Sequence, residues 1–115
     1  MSKTIRKALE DARTLLEDPR HWVKEVSAVD EAGRNVLTYG DRAVRWCLVG
    51  AIDKVTFGET VSSSTLGSLY TNVLKHIGGV QGWPSSAEII NFNDHPGTKH
   101  EDVLDLLDRA IAGCE

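Results

Sequence analysis

Apolar residues recur at helical spacing near both ends of this 115-residue chain, and each run has its own stop or start signal. In the first run, Ile5, Ala8, Leu9, Ala12, Leu15 and Leu16 fall on one face of a helix over about residues 3 to 17. Asp18-Pro19 ends it, because the proline ring disfavours a helical residue before it. In the last run, Val103, Leu104, Leu107, Ala110 and Ile111 give a closing helix over about 99 to 112. Thr98 and Glu101 stand at capping-box spacing before it, and Asp102 adds negative charge where the helix dipole favours it.

Two further helices are expected between these. One opens at Asp41 as N-cap after Gly40 and carries the stripe Ala43, Val44, Cys47, Leu48, Ala51, Ile52 and Val55. The other follows the serines at 62 to 64, with Leu66, Leu69, Tyr70, Val73, Leu74 and Ile77 on its face and Gly78-Gly79 as its stop. His76 near that end suits the negative pole of the dipole.

Residues 22 to 39 differ in kind. β-Branched and aromatic residues flank "DEAG", and Asp30 with Gly33 suits a tight turn, so the stretch reads as a β-hairpin laid on the helices, with Trp22 as its anchor. For the connection "VQGWPSSAEIINFND" two readings stand: a short helical turn capped by Ser85 or Ser86, or a third strand beside the hairpin. The expected architecture is therefore α+β. Four main helices, with the second and last central, pack with a small antiparallel hairpin or short sheet in one domain over residues 1–115.

Composition narrows the function classes. Hydrophobic residues at 41% and charged residues at 26% describe a globular chain, and a formal net charge of −4 argues against nucleic acid as the partner. No apolar stretch approaches a membrane span or a signal h-region. Two cysteines, Cys47 and Cys114, make no disulfide framework, so a cytoplasmic location with reduced thiols is expected. The glycines at 78, 79 and 82 lead into no phosphate-binding helix.

Candidate chemistry gathers in two places. "NFNDHPGTKHED" holds Asn93, Asp94, His95 and His100. Turn and capping chemistry accounts for most of it, the histidines excepted: Pro96-Gly97 is a turn, and Asn93 or Asp94 can close an Asx-turn. His100 is expected at the second helical position, where the positive pole favours a neutral imidazole. "AVRWCLVGAI" places Ala43, Cys47, Gly50 and Ala51 on one helical face, which admits a close-packed neighbour or the floor of a pocket. Trp46 falls beside that stripe, where a partly exposed indole would anchor a partner. A Cys47–His95–Asp94 set would make a thiol hydrolase, but a mid-helix, apolar setting raises a thiol pKa. A histidine–carboxylate metal site would use Asp94, His95 and His100, whose spacing matches no common zinc pattern.

In four segments the chain resembles a family of short bacterial and phage proteins of unknown function. They are "ALEDARTLLEDPRHW", "DEAGR", "AVRWCLVGAI" and "FNDHPGTKHEDVLDLLDRAI", in the family's order, while residues 56 to 88 carry no likeness. The resemblance implies a stand-alone domain and brings no catalytic roles. The expected function is a non-enzymatic binding or regulatory module, without a cofactor, acting on a protein partner or a small ligand as monomer or homodimer. The candidate residues are Trp46, Cys47, Gly50, Asn93, Asp94, His95 and His100.

Overall fold

A computed structural model describes residues 4–57, 63–75 and 86–114, with side chains except at 63–66, 74–75 and 86–87. The elements run in the order α1 (Ile5–Leu16), a 3₁₀ turn (Pro19–His21), β1 (Ala28–Val29), β2 (Arg45–Trp46), α2 (Leu48–Thr56), α3 (Ser63–Lys75), α4 (Ser86–Asp94) and α5 (His100–Ala112). The fold is α+β, with five α-helices among the described residues rather than four.

The first helix forms where the apolar spacing places it. Thr4 caps it by accepting the Lys7 amide at 3.1 Å, and Ala8, Leu9, Ala12 and Leu16 are its buried face. Asp18 then caps the 3₁₀ turn opened by Pro19. This helix, not the second, has the most extensive contacts, lying against both α2 and α5. Leu9, Leu16, Leu48, Ile52, Leu69, Val73, Ile89, Val103, Leu106 and Leu107 form the fully buried centre.

The hairpin is smaller than expected. Its turn is present: Asp30 accepts the amides of Ala32 and Arg34 at 2.9 Å each, and Gly33 takes φ +82°, which a side chain would disfavour. Beyond the turn, however, the returning chain makes a single bridge, Val29 to Asn35. The two-stranded antiparallel sheet pairs β1 with β2, Ala28 opposite Trp46 and Val29 opposite Arg45.

That pairing moves the second helix. It does not begin after Asp41, where successive turns carry the chain (Gly40 amide to Leu37 carbonyl, Ala43 amide to Gly40 carbonyl). Arg45-Trp46 then run as β2 with Trp46 buried, and the helix starts at Leu48 with Cys47 as its N-cap. The open choice at residues 86–94 resolves as a helix, α4. The expected stop at Gly78-Gly79, His76 and the cap candidate Ser85 lie outside the described residues.

Candidate functional site

The stretch "NFNDHPGTKHED" joins α4 to α5. At its start Asn93 is fully buried. Its Oδ1 accepts the Trp22 indole N–H at 2.6 Å and the Leu48 amide at 3.1 Å. Its Nδ2 donates to the Val23 carbonyl at 3.1 Å and to Asp94 Oδ1 at 2.9 Å. The Leu48 amide is the first of α2 and has no partner within its own helix, so Asn93 supplies from a distance what a local cap would supply. One side chain thus ties α4, the first turn of α2 and the chain after the 3₁₀ turn together.

Asp94 extends this knot. It accepts the amide of Glu25 at 2.8 Å, and Glu25 is held at φ +74°, a left-handed conformation uncommon outside glycine. Lys24 closes the same contact from outside, donating to the His95 carbonyl at 2.7 Å with its ammonium 5.5 Å from the Trp22 ring centre. The loop therefore clamps residues 22–25 at four points. Its expected Asx-turns do not form, since Asn93 and Asp94 bond across the fold.

The turn to α5 also differs from the capping box expected of Thr98 and Glu101. Thr98 is buried, and its hydroxyl donates to the Phe92 carbonyl at 2.7 Å. The N-cap is Lys99, whose amide donates to Asp102 at 2.8 Å. A shift of one residue places His100 at the first helical position, not the second. Its Nε2 lies 2.6 Å from the Leu16 carbonyl, the C-terminal end of α1, and its ring 6.0 Å from that of Trp22.

Cys47 and Asp94 do come together, on a small cavity of about 130 Å³ shared with Glu25, Val26, Ser27 and Ile90. The thiol is 5% exposed and accepts the Gly50 amide at 3.2 Å. Burial pushes its pKa up, and the Asp94 charge adds to this against the opposing pull of the α2 amides. His95 does not join them: its Nδ1 accepts the Gly97 amide at 3.0 Å within its own turn, and the residue is exposed. The Cys–His–Asp arrangement is not assembled. No three histidine, cysteine or acidic side chains among the described residues gather as metal ligands.

Gly50 and Trp46 take structural positions. A Cβ on Gly50 would fall 2.1 Å from the Ser27 carbonyl oxygen, which also accepts the Cys47 amide. The small residue admits a backbone, which is the close-packing alternative. Trp46 is 6% exposed rather than on a rim, and its indole donates to the Thr38 carbonyl at 2.8 Å. As a β2 residue its side chain turns into the core; the helical reading of 43–52 had placed it beside the stripe.

Of the exposed large apolar residues described, Ile90 lies on the cavity beside Cys47 and the other three lie elsewhere. Leu37 is 63% and Phe57 60% exposed, with Tyr39 also open, and the Tyr39 and Phe57 rings stack face to face at 4.0 Å. Thr38 points inward between Leu37 and Tyr39, its hydroxyl on Asp53 at 3.2 Å, and so lays the 37–39 turn along α2. Sequence reasoning assigned Leu37 and Tyr39 to a packed strand and gave Phe57 no place. The alternation Leu-Thr-Tyr was the available signal. A broader cleft of about 630 Å³ opens among Thr4–Arg6 of α1, Ser68, Thr71 and Asn72 of α3, and Gly113-Cys114 after α5.

No helix among the described residues is long and apolar enough to cross a membrane. No curated protein and no solved structure matches the chain. A family model does, over residues 1–113, and the chain belongs to that family, described as a family of unknown function (DUF6197).

Proposed function

We propose that the protein is a non-enzymatic binding module for a protein partner, which docks on Leu37, Tyr39 and Phe57. The observation that carries this is the exposure of three large apolar side chains on one turn and the adjoining helix end, while every other aromatic side chain described is at least half-buried. Aromatic residues in such a position are the usual anchors of an interface. The three side chains offer roughly 300–400 Å². A stable dimer takes about 800 Å² from each copy, so the patch suits a short partner segment better than a second copy of the chain.

The arrangement of the remaining candidates supports the same reading. Asn93 and Asp94 are spent on the fold, and no histidine among the described residues joins Cys47 and Asp94 at their cavity. A small-ligand reading draws support from the cleft among α1, α3 and α5, whose volume lies in the range of ligand pockets.

Selection of peptides from a randomised display library on the immobilised protein tests the proposal. Enriched peptides should bind the native chain and lose binding to Phe57→Ser. Peptides indifferent to Phe57→Ser, or none at all, would overturn it. So would a concentration-dependent dimer in sedimentation that Phe57→Ser abolishes, which would make a second copy the occupant.

A further inference from the structure

The docking face has a charge as well as an apolar surface. Asp53 lies one helical turn before Phe57, whose amide donates to the Asp53 carbonyl at 3.0 Å, so the two side chains share a face. The Asp53 carboxylate is exposed at its own position and is held there from below: Oδ2 accepts the Thr38 hydroxyl, and Oδ1 has no partner among the described residues. One face of the Phe57 ring is covered by Tyr39, with the ring planes within 4° of parallel. The other face of Phe57 and its edges account for its exposure.

From this geometry we infer that the partner segment presents an arginine beside an apolar side chain. The inference rests on the binding-module reading given above. A guanidinium is flat, always charged and weakly hydrated, and it can lie on an aromatic face while its N–H groups reach a carboxylate. Phe57 supplies the face and Asp53 the carboxylate, four residues apart on the last turn of α2 and its C-cap. Leu37 and Tyr39 take the apolar neighbour. A lysine has the charge but not the flat fork, so it satisfies one half of the arrangement only.

The experiment uses the full chain and the peptides selected on it. Each peptide that depends on Phe57 is remade with its arginine replaced by citrulline, which keeps the shape and removes the charge. Binding is measured by calorimetry to the native chain and to Asp53→Asn, which still offers an oxygen to Thr38 and so leaves the turn in place. Citrulline should weaken binding to the native chain about tenfold or more, and to Asp53→Asn by much less. Phe57-dependent peptides without arginine, or with equal losses on both proteins, would overturn the arginine assignment and leave the docking face standing. A library that yields no Phe57-dependent peptide would overturn both.

Discussion

A carboxamide can donate two hydrogen bonds and accept two, and Asn93 uses all four in a site closed to water. Removing it leaves the buried Leu48 amide, and the part-buried Trp22 indole and Val23 carbonyl, without these partners. Asn93→Ala should therefore cost about 3 kcal/mol or more in urea unfolding, since each such orphan costs about 1–3 kcal/mol. A loss below about 1 kcal/mol would show that water replaces the side chain. Asn93→Asp keeps the shape but turns both donors into acceptors, facing Val23 and Asp94. It should be as damaging near neutrality, and the gap from wild type should narrow in acid. The sign follows from burial and the Asp94 charge, which raise the pKa of a carboxylate there, so the variant loses stability as pH rises through that value. At the neighbouring position, Gly50→Ala sets a Cβ against the Ser27 carbonyl and should cost about 2 kcal/mol or more, because backbone rather than a side-chain tip must move. Cys47 should react with a thiol reagent only as fast as the protein unfolds, behind the half-buried Cys114.

At the scale of elements, the outer helices were legible because their stripes and stops agree. The second helix was read six residues early for a physical reason, its N-cap being Cys47 and not Asp41. Ala43, Val44, Cys47 and Leu48 are spaced like a helix face, yet the first pair precedes β2, with the Ala43 amide on the Gly40 carbonyl and the Val44 amide on the Val29 carbonyl. A two-residue strand has no period to betray it. The partner of β1 was misplaced for the same reason, and α4 was ambiguous because Ile89-Ile90 suits a strand and a helix alike. The importance of Asn93 was signalled by its place in a polar loop, but the signal pointed to a turn; three of its four partners lie 45 to 71 residues away. The turn at Asp30 was the most legible piece of the β element, and it carries a pH dependence. Hydrogen bonds from the Arg34 amide, and then from its side chain, outweigh burial and hold the Asp30 carboxyl below its ordinary value. A lowered folded pKa means the turn's contribution is full above the ordinary carboxylate pKa and is lost as pH falls through the lowered one. Asp30→Asn should be less stable than wild type at pH 7 and should converge on it in acid. Parallel acid limbs would show that the carboxylate contributes nothing.

For the whole molecule, the decisive contrast is between apolar side chains that the fold needs and those it leaves out. Ile52 lies within α2 and Phe57 is its C-cap, one with 1% of its surface exposed and the other with 60%. Ile52→Ala should cost about 2–5 kcal/mol, as cavities in close-packed cores do. The double substitution Leu37→Ser, Phe57→Ser removes more apolar surface but little packing. It should cost about 1 kcal/mol, the worth of one stacked ring pair. If the double variant lost as much as Ile52→Ala in urea unfolding, the face would be part of the core and the docking proposal would fall. If it unfolds almost like wild type while the selected peptides no longer bind, the side chains are kept at the surface at some risk of aggregation and with little return in stability. Their retention then has to be explained by what they bind.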